Sequence, residues 1–272
     1  MAVNLAEKYS GVVDERFTIG TVTNVGFNQD YDFEGVKTVN VYSIPTVPMQ
    51  NYTRTGANRY GTPTELEDNK QVLTLSQDRS FAFTIDRGND IDQMNVKSAG
   101  KALSRQIDEV VIPELDTYRL SKLVAGAGGT GASTGKAYED FLKGQSFLGN
   151  SKVPVIGRIA TVTFDFYAKI KQSSAGAGFV QPSDMAQNML TTGVLGMVDG
   201  VPIIPVPDSY LPADTDFILW HPIAGVAPVK LAEFFIHDNP PGLRGNLIEG
   251  SVYYDCFVLD SKKNAIYVGT NS

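Results

Sequence analysis

The chain has 272 residues, 42% of them hydrophobic, so it is long enough to bury one large core or two modest ones. Its formal net charge of -7 disfavours a protein whose main task is to hold nucleic acid on a basic surface. The only cysteine, Cys256, excludes an intrachain disulfide, and no run of about 18 apolar residues is present that could span a membrane, so we expect a protein made in the cytosol without a membrane partner.

The first part of the chain predicts an arm followed by a strand. Residues 1–28 mix polar and apolar types without a sustained period, which indicates a segment that needs a partner surface. In residues 36–44, Val39 and Val41 alternate with polar neighbours, and this pattern predicts a strand. Pro45 and Pro48 end it, because proline cannot donate to a sheet ladder.

Residues 49–70 form the least globular stretch, rich in Asn, Thr, Arg, Gly and Tyr. Returning strands follow, with alternating apolar residues at Leu73, Leu75, Phe81, Phe83 and Ile85. Structureless loops beyond about 15 residues in a compact domain are usually functional or disordered. We therefore weigh two interpretations equally on composition: an arm that folds against another molecule, and a solvated mobile loop.

The arm carries both signs of charge, so copies of it could pair with one another. The charged residues that are close in sequence here are Arg54, Arg59, Arg79, Glu65, Glu67 and Asp68.

Residues 90–124 predict one long amphipathic helix, because apolar residues recur at steps of three and four with charged residues between them. Asp90 is a suitable N-cap, Asp92 and Lys122 suit the two ends of the helix dipole, and Gly126 begins a glycine run that should end the helix in a left-handed conformation. Pro113 predicts a kink or short break near Val110. A helix of about 50 Å is longer than one compact core needs, so we expect a strut between two cores.

The rest of the chain alternates helices and strands, which indicates an α/β or α+β region around a short sheet. In order, we predict a helix at 136–148, a strand at 156–163, a helix at 164–172, a loop at 173–178, a helix at 185–190, and a hairpin at 194–206 that turns at Asp199-Gly200. After these come a strand at 217–220, an undecided strand or helix at 227–235, a turn at 238–245, and a closing hairpin made by a strand at 247–259 and its return at 265–268.

No motif points to catalysis. The run Gly128 to Lys136 departs from a phosphate-binding loop, since Thr130 stands where its first glycine belongs and Ala137 where a hydroxyl residue belongs, and a flexible hinge is the better interpretation. A run of acidic residues from Asp86 to Asp92 resembles part of a calcium loop, but its last ligand would be Lys97.

The two histidines, His221 and His237, have no partners that suggest a zinc site or a triad, and a hydrogen-bonded structural role is the better interpretation of both. We expect no catalytic residue, cofactor or metal, although such a negative does not exclude an enzyme.

Several longer sequence segments are more specific than any of these motifs. The sequences "VKTVNVYSIPTVP", "NRYGTPTELED", "FTIDRGNDIDQ", "AGKALSRQIDEVVIPELDTYRL", "VDGVPIIPVPDSYLP", "HPIAGVAPVKL" and "IHDNPPG" together resemble major capsid proteins of tailed bacteriophages and related prophages, whose fold is HK97-like. The resemblance covers nearly the whole chain.

This resemblance implies an α+β fold with a long spine helix, a peripheral sheet, an extended loop and a mixed α/β axial domain. Its parts would be an N-terminal arm at 1–34, a peripheral domain at 35–134 and 229–272 with the extended loop at 47–80 and the spine helix at 90–124, and an axial domain at 135–228. The closing strands at 247–268 would rejoin the early strands in the peripheral sheet. The residues expected at contacts between subunits are those of the extended loop: Tyr52, Arg54, Arg59, Tyr60, Glu65, Glu67 and Asp68.

The resemblance also implies function. Hexamers and pentamers of the chain would form an icosahedral head around double-stranded DNA, assembled in the bacterial cytoplasm, with weak non-specific contact between wall and DNA. A separate scaffolding protein and a portal protein would be partners, and decoration proteins are optional ones. The alternatives are a nanocompartment shell protein of the same fold, a small α/β enzyme, and a nucleic-acid-binding module, which the charge disfavours.

Overall fold

Helices and strands follow the two hydrophobic periods of the sequence in the computed structural model, which describes residues 21–28, 37–66, 69–88, 98–173, 179–180 and 196–271. The helices are α1 (Ala99–Gln106), α2 (Ile112–Ala125), α3 (Ala137–Asn150) and α4 (Phe164–Ser173). The strands are β1 (Thr38–Ser43), β2 (Asn69–Thr74), β3 (Gln77–Asp86), β4 (Gly129–Ala132), β5 (Ile159–Thr163), β6 (Phe179–Val180), β7 (Gly196–Val198), β8 (Val201–Val206), β9 (Thr215–Trp220), β10 (Gly225–Val226), β11 (Val229–Asp238), β12 (Gly245–Tyr254), β13 (Phe257–Val258) and β14 (Ile266–Thr270).

Helices α1 and α2 are two parts of one spine helix, joined by the π-helical segment Ile107–Val111. The N–H of Ile112 donates to the carbonyl of Ile107, five residues back, and Pro113 follows at the start of α2. The break predicted near Val110 is therefore a local widening of the helix. At about 1.5 Å per residue, residues 99–125 span roughly 40 Å. Asp90 and Asp92 lie outside the described residues, but Ser98 is extended, with φ -75° and ψ 126°, and is the N-cap of α1. The prediction of one continuous helix that begins at Asp90 is therefore wrong, because the spine helix begins at Ala99.

The glycines after the spine helix do not act as predicted. Gly126 has φ -93° and is not left-handed, but a Cβ there would lie 2.6 Å from Cγ2 of Val258. Gly129 and Gly131 lie in β4, where added Cβ atoms would meet the rings of Phe147 and Tyr267. The flexible-hinge interpretation is wrong for these positions, since the run forms an edge strand that glycine allows to pass close to aromatic rings.

The larger sheet has seven strands in the order β4-β14-β9-β5-β8-β7-β6, with helices on both faces. Alternation along β9 assigns its side chains to two cores. Ile218 and Trp220 pack with Leu120 and Leu123 of the spine helix. Phe217 and Leu219 pack on the opposite face, in a cluster with buried residues of α3 and α4. All residues of β5 and β9 are buried, as expected for strands covered on both faces.

The predicted hairpin at Asp199-Gly200 is confirmed. Both residues have positive φ, 49° and 77°, and Val198 pairs with Val201 across the turn. This is the conformation that a two-residue type I′ hairpin requires. The loop predicted at 173–178, apart from the end of α4, and the helix predicted at 185–190 lie outside the described residues.

A second sheet has three strands in the order β11-β12-β3, all antiparallel, and the pairs β1-β2 and β10-β13 form separate two-stranded sheets. Strand β11 decides the segment 227–235, which the sequence left open, in favour of a strand. Pairing of β12 with β3 agrees with the expectation that late strands rejoin early ones.

The predicted return of 265–268 onto the preceding strand is wrong. Strand β14 pairs with β9 and β4 in the larger sheet, because a 3-10 turn at Asp260–Ala265 carries the chain there and buries Ile266 and Val268. The domain boundaries given above remain predictions.

Candidate assembly surfaces

The most exposed part of the described chain is the loop between β1 and β2, which pair antiparallel from Thr38↔Thr74 to Ser43↔Asn69. Every described residue from Ile44 to Leu66 is exposed except Gly61. The extended loop predicted at 47–80 also included β2 and the start of β3. From here the extended loop means residues 44–68, and β1 and β2 form its base.

The base of this arm is held by a buried carboxylate, Asp255. Its side chain accepts hydrogen bonds from the N–H and hydroxyl of Ser76, both at 2.8 Å, from the Tyr118 hydroxyl at 2.8 Å and from the Cys256 N–H at 2.7 Å. A buried carboxylate is stable only when donors satisfy it in this way. Asp255 therefore joins the β2–β3 corner to the spine helix.

Gln71 provides a second anchor for the base. Its amide nitrogen donates to the Val258 carbonyl at 2.9 Å, and its amide oxygen accepts from the Asp260 N–H at 3.0 Å. Buried Leu73 and Leu75 pack beside it against Val226 and Leu259.

The far end of the extended loop is organised by its own contacts. The N–H of Thr53 donates to the Arg59 carbonyl at 3.0 Å, and the rings of Tyr52 and Tyr60 meet edge to face with centroids 5.1 Å apart. Arg59 also donates from Nε to the Gly56 carbonyl at 3.3 Å. Tyr60 is 87% exposed and Met49 is fully exposed, so the loop end presents apolar surface to solvent.

The structure places five of the predicted contact residues on this loop, and all five are exposed: Tyr52, Arg54, Arg59, Tyr60 and Glu65. Glu67 and Asp68 lie outside the described residues. Arg79 is not part of the loop's charge pattern, because it pairs with Glu114 of the spine helix at 2.7 Å. A contact role for the loop residues stays a prediction.

The spine helix is half covered. No residue from Ala99 to Leu115 is buried, whereas Asp116, Arg119, Leu120 and Leu123 are. Beside its middle lies an open groove of about 630 Å³. The residues lining this groove are Gln77, Arg79, Pro113, Glu114, Thr117, Tyr118, Ser121, Ser209, Tyr210 and Tyr254.

Asp116 binds the described part of the predicted N-terminal arm, residues 21–28. Its carboxylate accepts from the Thr21 hydroxyl at 3.0 Å, the Val22 N–H at 2.9 Å and the Thr23 hydroxyl. Arg119 donates to the same Thr23 hydroxyl at 3.1 Å. Burial lowers the pKa of Arg119, although the charge of Asp116 opposes this shift. The sequence carried no signal for Asp116 or Asp255. Asp116 follows the polar pattern of its helix, and Asp255 was predicted inside the strand 247–259, whereas β12 ends before it, at Tyr254.

The residues considered for chemistry have structural roles. Nδ1 of His221 accepts from the Ile223 N–H at 3.2 Å, while Nε2 of His237 lies 3.4 Å from Oε2 of Glu249 on the neighbouring strand. Asp86 accepts from the N–H of Gly88. Within the described ranges, no group of three His, Cys, Asp or Glu side chains could hold a metal ion. No described helix is long and apolar enough to cross a membrane.

Comparison with known proteins gives matches at the level of structure. No family model matches the chain, and no curated protein sequence does so either. A solved structure from Mycobacterium phage Che8 superposes with a TM-score of 0.75 at 18% identity and covers 98% of both chains. The capsid structure of cyanophage P-SCSP1u gives a TM-score of 0.74 at 11% identity, covering 99% of this chain and 93% of the other.

The mature capsid of bacteriophage PhiM1 gives a TM-score of 0.71 at 12% identity, covering 98% of this chain and 92% of the other. The chain therefore has the fold of these phage proteins, and the α+β capsid fold that the resemblance implied is confirmed.

Proposed function

We propose that this chain is the major capsid protein of a tailed bacteriophage, whose copies form hexamers and pentamers of an icosahedral head around double-stranded DNA. The observation that carries the proposal is agreement with phage capsid structures over 98% or more of the chain, at TM-scores from 0.71 to 0.75. Identity of 18% or less means that the function rests on shared architecture together with the surfaces described above.

Those surfaces suit a shell subunit. The extended loop leaves backbone and apolar groups in solvent, and the first half of the spine helix is only partly buried, so neighbouring copies would cover both. Heterologous contacts of this kind close into rings when the rotation permits, and contacts with several neighbours can bury more than the roughly 1,600 Å² of a standard pair. The function is structural, without a catalytic step or cofactor.

The remaining partners follow from the same proposal. A scaffolding protein and a portal protein would act during assembly in the host cytoplasm, and decoration proteins could bind the finished head. Packaged DNA would touch the wall weakly, since the net charge of -7 gives no general attraction for phosphates.

The test is to replace residues 44–68 by Asn-Gly. Ser43 and Asn69 are paired, so a two-residue type I′ turn can close the shortened hairpin. We expect a subunit with a thermal midpoint close to that of the unaltered chain, because Asp255 and Gln71 still hold the base, and no shells by electron microscopy.

A matched control keeps the length of the extended loop and changes only Glu65→Gln and Arg54→Gln, which separates loss of the arm from loss of charge. Shells of normal size from the shortened chain would contradict the role of the arm. Particles of the unaltered chain that hold a cargo enzyme, and no DNA, would favour a nanocompartment.

A further inference from the structure

The loop between α3 and β5 presents a short apolar surface. Pro154, Val155 and Ile156 are consecutive and exposed, with exposed fractions of 65% for Val155 and 90% for Ile156. A run of three exposed apolar residues is unfavourable in a soluble protein unless a partner covers it. We call residues 154–156 the apolar knob.

The apolar knob stands on a rigid base made by Arg158. This side chain is only 4% exposed, and its guanidinium donates to the carbonyls of Pro154 at 2.9 Å, Val153 at 2.8 Å and Gln145 at 3.4 Å, as well as to the side-chain oxygen of Gln145. The planar fork of arginine can hold several acceptors in one geometry. Burial lowers the pKa of Arg158.

The end of α3 fixes the other side of the knob. The Val153 N–H donates to the Leu148 carbonyl and the Lys152 N–H to the Gly149 carbonyl, both at 3.0 Å, while Lys152 has φ 60°. These are the two hydrogen bonds and the left-handed residue of a Schellman motif. The side chain of Val153 then packs against both hydrophobic cores.

His221 holds the tip. Its Nδ1 accepts from the Ile223 N–H at 3.2 Å, so the ring proton lies on Nε2, which donates to the Ile156 carbonyl at 3.1 Å. Gly157 has φ +89° and lies against the same ring. The carbonyls of residues 153, 154 and 156 are thus all held, and only the apolar side chains of the knob point outward.

We infer that the apolar knob is a contact surface for a second copy of this chain. This inference rests on the proposed shell function and adds a contact outside the extended loop. Each copy carries a net charge of -7, so copies repel one another, and contact is least opposed where the surface has no charge. No charged residue stands between Val153 and Gly157, and a pre-organised loop loses little conformational freedom on binding.

The first experiment uses Ile156→Cys in the full chain. The natural Cys256 is 2% exposed, and burial raises its pKa to about 12, so it serves as the internal unreactive control. We expect the new thiol to react with a maleimide quickly in the isolated subunit and at least about tenfold more slowly in assembled particles, because a covered site reacts only when the contact opens.

The second experiment uses Val155→Ser together with Ile156→Ser. We expect an unchanged thermal midpoint of the monomer and an assembly concentration raised about tenfold, the change that truncation of an anchor residue typically causes. Gln172→Ser, at an exposed polar position of α4 outside the knob and its supports, is the matched control and should leave assembly within about threefold.

Three outcomes would contradict the inference, and each has a distinct meaning. Equal thiol reactivity in subunits and particles would show that the apolar knob stays uncovered while the shell function stands. Cross-links from position 156 only to a different protein would remove the second copy as its partner. A natural chain that remains monomeric at every concentration, with or without scaffold, would contradict the shell function itself.

Discussion

At the scale of single residues, two buried carboxylates hold distant segments together, and no sequence pattern predicted this role. Asp255 accepts hydrogen bonds from Ser76, Tyr118 and Cys256, and Asp116 accepts three from residues 21–23. The sequence predicted one strand over 247–259, but β12 ends at Tyr254, so Asp255 lies after the strand and not on one of its faces. A local pattern cannot report a contact with Tyr118, which lies more than a hundred residues earlier in the chain.

The hydrogen bond of Tyr118 to Asp255 predicts a dependence of stability on alkaline pH. Burial, reinforced by this bond, raises the pKa of Tyr118 to about 12 from the ordinary value of 10.0. The neutral phenol is therefore favoured in the folded state, so its contribution to the free energy of unfolding is complete below about pH 10 and is lost as the pH rises to about 12.

We expect Tyr118→Phe to lower the free energy of unfolding by about 1–2 kcal/mol at pH 8. The difference in this free energy between the variant and the unaltered chain should become smaller between about pH 10 and 12. Urea unfolding at a series of pH values measures both effects. Tyr60→Phe, in the extended loop, is the matched control and should cost little at any pH. Parallel curves for Tyr118→Phe and the unaltered chain would contradict the assignment.

At the scale of elements, the hydrophobic period predicted most helices and strands, and the reasons for success and failure are physical. The spine helix, α3, α4, β1, β5 and the hairpin at Asp199-Gly200 depend on local patterns and were predicted. Pairing partners depend on residues far apart, so the sequence placed 265–268 beside 247–259, whereas β14 pairs with β9 and β4.

Glycines were the other source of error, because their usual use at helix ends concealed a packing role. A Cβ on Gly126 would lie 2.6 Å from Cγ2 and 2.7 Å from Cβ of Val258. We expect Gly126→Ala to lower the free energy of unfolding by about 1–3 kcal/mol, the usual cost of forcing an extra methyl group into a packed contact.

The double-mutant cycle with Val258→Ala separates steric overlap from backbone effects. If overlap is the cause, the second substitution should recover most of the loss, so that the two changes are non-additive by about 1 kcal/mol or more. Gly100→Ala is the matched control, since nothing lies within 4 Å of a Cβ there and alanine favours the helix. Additive effects of Gly126→Ala and Val258→Ala would contradict the overlap.

At the scale of the whole molecule, burial is unevenly distributed over the described residues. The seven-stranded sheet is covered on both faces, the first half of the spine helix is only partly buried, and the extended loop and the apolar knob are exposed. Composition revealed the exposed loop, since 49–70 has almost no large aliphatic residues, but it gave no sign of the apolar knob, whose exposure depends on Arg158 and His221. Stability of such a subunit would rise on assembly and depend on concentration.

The charge of the molecule leads to a prediction about DNA. Under the proposed function, a subunit with a net charge of -7 should contact packaged DNA weakly. We therefore expect the isolated subunit to bind duplex DNA at physiological salt with a dissociation constant of about 10⁻⁴ M or weaker. Fluorescence anisotropy across a salt series measures this dissociation constant.

A charge variant provides the control. Glu233→Lys with Asp238→Lys, both at exposed positions of β11, raises the net charge to about -3 and should tighten binding at low salt by counterion release. Tight, salt-insensitive binding by the unaltered chain would contradict the idea, because a wall that grips phosphates would oppose both entry and release of the genome.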